Sequence, residues 1–323
     1  MAGLTMGGGE INLLISGGGS MGTRIVHVVV TGAGGLCGRH VTAHLLRAGW
    51  RVTAVAGRTA RGDARPFPAA FPAAFPAGVD VLYGDLAGGF AFPPSFDAVV
   101  HAAARLPDPG VGVADLEHGN AAATRRVVEA AEAAGAGTVL YLSSLSVYGR
   151  IIGDVVDEQT SIDAPEPYGA GKLAGERLVR AGGFRSLALR LPGVIGPHSA
   201  RNWLSRVMAA ARIGEAVTVV NPDTPFNNAV HVDDLAAFIV HLLATRWSGA
   251  DAVTLGAAGM TTALGAARAL VEGFGSRSRI LVGDAPDAPR FTVSSQRATA
   301  SYGYAPMEIG AMLERFVVEN AAD

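Results

Sequence analysis

The sequence predicts an α/β protein, a doubly wound parallel sheet with a small C-terminal lobe, and two observations carry that expectation. Short apolar, β-branched runs alternate with helical patterns from residue 25 to about residue 192, and the alternation resumes near residues 231–256. A glycine turn, Thr31-Gly32-Ala33-Gly34-Gly35-Leu36-Cys37-Gly38, joins the first run directly to the first helical pattern. Strand, glycine turn and helix in that order form the start of a dinucleotide-binding Rossmann sheet.

Residues 25–30 supply the first strand, and Val41, Leu45 and Leu46 mark the helix that closes at Gly49. Gly32, Gly35 and Gly38 let the backbone turn sharply and approach a ligand, so the first amides of the helix, at Leu36 and beyond, can face a pyrophosphate. A second formal match, Gly17, Gly19 and Gly22, precedes a strand rather than a helix, so no helix N-terminus is available there. Residues 1–23 are expected to be a disordered N-terminal extension.

Residues 50–56 read as the second strand, ending at Gly57-Arg58-Thr59. An acidic side chain about 20 residues past the glycine loop would take the ribose hydroxyls of NAD, whereas an arginine suits a 2′-phosphate. Arg58 holds that place, which favours NADP(H) over NAD(H). Residues 67–78, FPAAFPAAFPAG, repeat a proline every fourth residue and so form a low-complexity loop. Residues 79–83 are the third strand; Asp85, with Leu86 after it, can accept from an adenine amino group. Residues 96–101 are the fourth strand, and the small Ala102 and Ala103 beyond it leave room for a dinucleotide across the sheet edge. A long helix over 115–134 and a fifth strand over 138–143 follow.

Composition excludes several classes. A net charge of −2 with 17% charged residues gives no basic field for nucleic acid. No apolar run reaches the roughly 18 to 20 residues of a membrane span. Cys37 is the single cysteine, so no internal disulfide and no cysteine-based metal site can form, and no metal is expected. A reducing, soluble compartment, the cytoplasm, is the expected setting.

The chemistry gathers after the fifth strand. Ser143-Ser144-Leu145-Ser146-Val147-Tyr148-Gly149 closes it, and Tyr168-Gly169-Ala170-Gly171-Lys172 opens a helix about twenty residues later. Residues four apart share a helix face, so the Lys172 ammonium can sit below the Tyr168 hydroxyl and lower its pKa from about 10 toward working pH. Tyr168 then serves as general acid or base, and Ser144 holds the substrate oxygen where charge develops.

With these motifs, and with GDL (84–86), HAAA (101–104), LRLPGVIGP (189–197) and HVDDLA (231–236), the chain resembles the extended short-chain dehydrogenase/reductases of the NAD-dependent epimerase/dehydratase type. The resemblance runs from about residue 25 to 306. It implies a Rossmann domain over 24–192 and a mainly substrate-binding lobe over 193–323, with segments near 231–256 returning to the sheet. It implies catalytic Ser144, Tyr168 and Lys172, and a role for Asn120 in ordering a proton-relay water. Pro192 would line the nicotinamide and Gly193 would contact substrate, while Arg290 is the candidate arginine for a substrate diphosphate. It also implies a homodimer built on helices 115–134 and 168–181.

Two departures narrow the activity. Leu145 and Ser146 stand where the family's dehydratases carry an Asp-Glu pair, so dehydration is not expected. Gly193 stands where many UDP-sugar binders carry asparagine, which counts against a nucleotide-diphosphate substrate. The leading expectation is an NADP(H)-preferring oxidoreductase that reduces a ketone on a nucleotide-activated sugar or a similar small molecule. The alternative is an NAD-dependent nucleotide-sugar epimerase, and a third reading is a non-catalytic dinucleotide sensor.

Overall fold

The computed structural model describes residues 27–57 and 77–321. The N-terminal extension, Arg58 and all but the last two residues of the proline repeat lie outside the described residues.

Seven strands form one parallel sheet: β1 (His27–Thr31), β2 (Arg51–Ala56), β3 (Asp80–Tyr83), β4 (Ala98–His101), β5 (Thr138–Ser144), β6 (Arg185–Leu191) and β7 (Ala250–Thr254). Their order is β7-β6-β5-β4-β1-β2-β3. The winding reverses between β1 and β4, which makes the carboxyl ends of those two strands the crevice where a ligand can lie.

Side-chain alternation feeds a core on each face of the sheet. Val28 and Val30 of β1 point into one core, against helices α1 (Leu36–Arg47) and, further along the chain, Val232–Ala244; Val29 points into the other. That second face is covered by α2 (Asn120–Ala134) and α3 (Pro167–Ala181), through Val127, Val128, Ala131 and Val179. All of these side chains are buried, and each fully buried Val or Leu contributes about 1.5–3 kcal/mol relative to exposure.

The helix expected over 115–134 is interrupted. Residues Asp115–Gly119 form a single π turn, and the α-helix begins at Asn120. The Asn120 amide group supplies a local cause, because its Nδ2 donates to the carbonyls of Leu116 and Arg105 while its Oδ1 accepts from the Arg105 N–H. Gly135, at φ 70°, ends the helix in a left-handed cap.

Beyond Leu191 the chain builds a second core from α4 (Trp203–Ile213), α6 (Ala263–Gly273) and α8 (Ile309–Asn320), where Leu204, Val207, Leu270 and Phe316 meet. Between them α5 (Val232–Ala244) and β7 return to the sheet. A further return involves α7 (Gln296–Tyr302), whose Ala298 packs with Tyr304 into the core under α1 and α5. The Asp233 carboxylate at the start of α5 accepts from His40 Nδ1 at 3.0 Å and His44 Nε2 at 3.1 Å, both on α1, and from Arg315 on α8. These partners hold its carboxyl far below the usual range. The HVDDLA aspartate therefore fastens three helices, and one of them follows the glycine turn.

Candidate active site

The glycine turn is shaped by close backbone contacts. Gly32 adopts φ 68°, and a Cβ there would lie 2.5 Å from the Ala103 nitrogen. A Cβ on Gly38 would collide with the Gly32 carbonyl. These two positions exclude a side chain because β1, α1 and the chain leaving β4 meet there. By contrast, the space in front of Gly35 holds no protein atom closer than the Gly32 oxygen at 3.4 Å. Gly35 is the extended N-cap residue of α1 and contributes no side-chain cap, so the first amides of the helix face that space without one. A cradle of bare backbone donors at the switch point fits a dinucleotide pyrophosphate.

The expected cofactor contacts line the same edge. The Ala102 N–H donates to the Thr31 carbonyl at 3.1 Å and the Ala103 N–H to the Thr31 hydroxyl at 3.4 Å, which keeps both against Gly32. Asp85 begins the turn after β3, and its Oδ1 accepts from the Ala87 N–H at 3.0 Å; Leu86 beside it is buried in the core. Pro192 and Gly193 follow β6. A side chain at Gly193 would meet the Asn202 Cβ at 2.9 Å, so Asn202, the N-cap of α4, fills the space that an asparagine at 193 would need.

Ser144 ends β5, and its Oγ accepts from the Ser146 N–H at 3.1 Å while donating to Ser146 Oγ at 3.1 Å. Two hydroxyls thus stand together beyond the strand. Tyr168 lies in the first turn of α3, directly after the N1 proline, and Gly169 beside it packs against the Ser146 carbonyl so closely that a Cβ would overlap it. The missing side chain at 169 is what brings the helix carrying Tyr168 onto the turn carrying Ser144.

Lys172 is 2% exposed, and its Nζ donates to the Leu142 carbonyl at 2.7 Å and lies 4.7 Å from the Tyr141 ring centre. Burial lowers its pKa to about 8. The Tyr168 phenol moves opposite to the sequence expectation: burial, then the neighbouring Cys37, push it up to about 12. Desolvation is the larger of the two causes, so at neutral pH the Tyr168 phenol carries its proton. Cys37, the second residue of α1, is itself pushed up to about 11 by burial, and its electrostatic coupling to Lys172 and Tyr168 places it between the glycine turn and α3. Its position inside the glycine motif was the sequence signal for that location.

Behind these groups lies a buried ion pair. Glu176, one turn after Lys172, receives Arg190 of β6 through Nη2 at 2.7 Å and Nε at 3.0 Å, and accepts from the Ser143 hydroxyl at 2.5 Å. Arg190 Nη1 donates to the Tyr148 hydroxyl at 2.9 Å, which in turn donates to the Asp157 carbonyl at 2.6 Å. His101 has a structural place: its ring bonds Thr31 at 2.6 Å and Thr124 at 3.1 Å, and burial lowers its pKa to about 3.

Arg290 sits in the lobe. Its Nη2 donates to Asn221 Oδ1 at 2.8 Å, and it lines a cavity of about 460 Å³ with Asp154, Asp223, Asp284 and Phe291. Three carboxylates to one guanidinium give that cavity an anionic lining. Among the described residues no cluster of candidate ligands could hold a metal ion, and no helix is long and apolar enough to cross a membrane.

One pH dependence follows from Lys172. Its folded pKa of about 8 lies below the ordinary 10.5, so the unfolded chain holds this proton more tightly than the folded one. Between those values the group adds stability as pH rises. Urea unfolding of wild type and Lys172→Met at pH 7.5 and 10 (roughly the two ends of that window) is expected to show wild type gaining on the variant at the higher pH. An unchanged difference would place Lys172 in water.

The profile of the NAD dependent epimerase/dehydratase family matches residues 28–256. The UDP-glucose 4-epimerase of Azospirillum brasilense is 29% identical over 246 residues, covering 69% of this chain and 70% of that protein. The ceramide reductase of Caulobacter vibrioides is 29% identical over 220 residues, covering 66% and 59%. Among solved structures, MoeE5 in complex with UDP-glucose and NAD superposes with a TM-score of 0.72 at 27% identity over 92% of this chain and 99% of that one. A UDP-galactose 4-epimerase superposes with the same score at 22% identity, a likeness of fold.

Proposed function

Because the chain belongs to the NAD dependent epimerase/dehydratase family, the extended short-chain dehydrogenase/reductases, we propose that it interconverts a secondary alcohol and a ketone on a sugar or similar polyol, with Tyr168 transferring the proton. The packing of α3 at Gly169, next to Tyr168, onto the Ser144–Ser146 turn, at the edge that also carries the glycine cradle, is the observation that carries this reading. When bound, the dinucleotide accepts or supplies the hydride. Ser144 holds the substrate oxygen. In oxidation the C–H electron pair leaves as hydride and the O–H proton passes to the Tyr168 phenolate; in reduction the carbon regains the hydride and the Tyr168 phenol protonates the oxygen. Lys172 supplies the positive charge that must act when Tyr168 is to become a base.

Epimerisation, in which the hydride is taken and returned to the opposite face, is the use of this chemistry that the UDP-sugar epimerase relatives support. Net ketone reduction is the second reading, supported by the reductase relative and by Arg58. The bound NAD of the neighbouring structure supports an NAD(H) site, whereas the arginine supports NADP(H). A homodimer and a cytoplasmic setting belong to the same proposal. The anionic lining around Arg290 opposes a diphosphate in that cavity, so UDP-glucose and its unactivated sugar are tested side by side. Nuclear magnetic resonance of the sugar and absorbance of the reduced cofactor are followed together. A changed configuration without net absorbance change assigns epimerisation; a stoichiometric absorbance change assigns reduction or its reverse. Neither change across a panel of sugars and ketones would contradict the proposal.

A further inference from the structure

We propose that Asp233 is a positioning residue for the dinucleotide: acting through His40 and His44, it sets where α1 aims its first amides. This rests on the dinucleotide reading of the glycine cradle and gives that cradle an anchor outside its own motif. In an α-helix each N–H bonds the carbonyl four residues back and the rise is about 1.5 Å per residue, so His40 lies about 6 Å along α1 from Leu36 and moves with it. Whatever fixes His40 and His44 fixes the amides at the start of the helix.

Two kinds of contact hold α1. It lies along α5, and Val41 and Leu45 share a buried core with Leu235, Ala236 and Ile239. Hydrophobic burial is non-directional and keeps the helices together, whereas hydrogen bonds weaken steeply as their angle falls and so fix rotation and slide. His40 and His44, four residues apart on one face, both reach Asp233 Oδ1, through Nδ1 at 3.0 Å and Nε2 at 3.1 Å.

The carboxylate is itself held from its far side. Its other oxygen accepts from Arg315 of α8, whose Nε donates to Glu319 Oε1 at 2.6 Å. Glu319 Oε2 accepts from His231 Nε2 at 2.9 Å, and His231 Nδ1 accepts from the Asp233 N–H at 3.2 Å. The ring closes on Asp233, and His231 within it is fully buried. Asp233 is therefore a fixed point against which α1 is registered. A pyrophosphate needs that registration, because backbone amides bind it and only the helix sets their direction.

Asp234 supplies an internal control. It belongs to the same first turn of α5, but its Oδ2 accepts from the N–H of Met307, which packs on the lobe core, at 2.9 Å. Removing it costs stability without touching α1.

Stripped protein is titrated with NADH and NADPH by fluorescence, beside urea unfolding, for wild type, Asp233→Ala, Asp234→Ala, the His40→Ala/His44→Ala pair and the His40→Asn/His44→Gln pair. Asp233→Ala is expected to weaken both nucleotides about 5- to 50-fold, within the usual range of coupling between separated sites. Asp234→Ala should lose stability and keep wild-type affinity. The double alanine variant should repeat the loss and serves if Asp233→Ala does not fold. His40→Asn and His44→Gln each keep an amide N–H near the ring nitrogen now used, so that pair should retain most of the affinity. Wild-type affinity in Asp233→Ala or in the double alanine variant would overturn the proposal, as would an equal loss in Asp234→Ala. Wild type that binds neither nucleotide would overturn the dinucleotide reading and this anchor with it.

Discussion

Tyr168→Phe is expected to lower turnover by about 10²- to 10⁴-fold, the usual contribution of a positioned general acid or base, with dinucleotide affinity unchanged. The expectation follows from where the hydroxyl sits. Burial holds the Tyr168 pKa near 12 in the free protein, so at neutral pH the phenol carries its proton and is ready to give it to a developing alkoxide. Taking a proton from an alcohol requires the opposite shift, which the proposed mechanism assigns to the charge of Lys172. Phenylalanine keeps the ring and its packing beside Gly169 and removes only the oxygen. Turnover near wild type would assign the proton to another group. Loss of dinucleotide binding would show that the substitution reached beyond the oxygen.

Glu176→Ala is expected to cost about 3–5 kcal/mol of stability, because it strands the Arg190 guanidinium in a site 9% exposed. Burial works against that charge, but Glu176 and Tyr148 outweigh it and raise the guanidinium pKa. Removing the carboxylate also frees the Ser143 hydroxyl, next to Ser144, and loosens α3 one turn below Lys172. The double variant Glu176→Met, Arg190→Met removes both charges and should recover most of the loss, since a buried pair is worth little against apolar side chains of similar size. Urea unfolding of the wild type and these two variants measures this. A single variant no less stable than the double would place the pair in a wetter site than its exposure indicates.

The sheet was legible because buried parallel strands announce themselves as short apolar runs between helical patterns. The π turn at Asp115–Gly119 was not legible, since apolar spacing cannot separate an α-helix from one widened turn at its start. The returning segment at Ala298 and Tyr304 was missed because tertiary packing, not local pattern, decides which core a short helix joins. At the site, the glycines, Ser144, Tyr168 and Lys172 could be read from motif order, and the structure brings the glycine cradle and Ala103 into contact, and the α3 face beside Tyr168 onto the Ser144 turn. Tyr168's raised pKa depends on burial, which residue spacing does not report. Arg290 shares its cavity with Asp284 of its own loop and with Asp154 and Asp223 from two distant segments, so most of its anionic lining was not visible in its own neighbourhood. The Asp233 contacts with His40, His44 and Arg315 were equally hidden, because they join positions 193, 189 and 82 residues apart.

The central claim is that residues 31–38 form a dinucleotide cradle serving Tyr168, and nucleotide binding tests it most directly. Purified protein is denatured and any released nucleotide identified; stripped protein is then titrated with NAD, NADH, NADP and NADPH beside Gly38→Val. A side chain at 38 collides with the Gly32 carbonyl, so the predicted result is dinucleotide binding by wild type and its loss in the variant while the Tyr168→Phe protein still binds. Wild type that binds none of the four, or Gly38→Val that binds as tightly as wild type, would contradict the account.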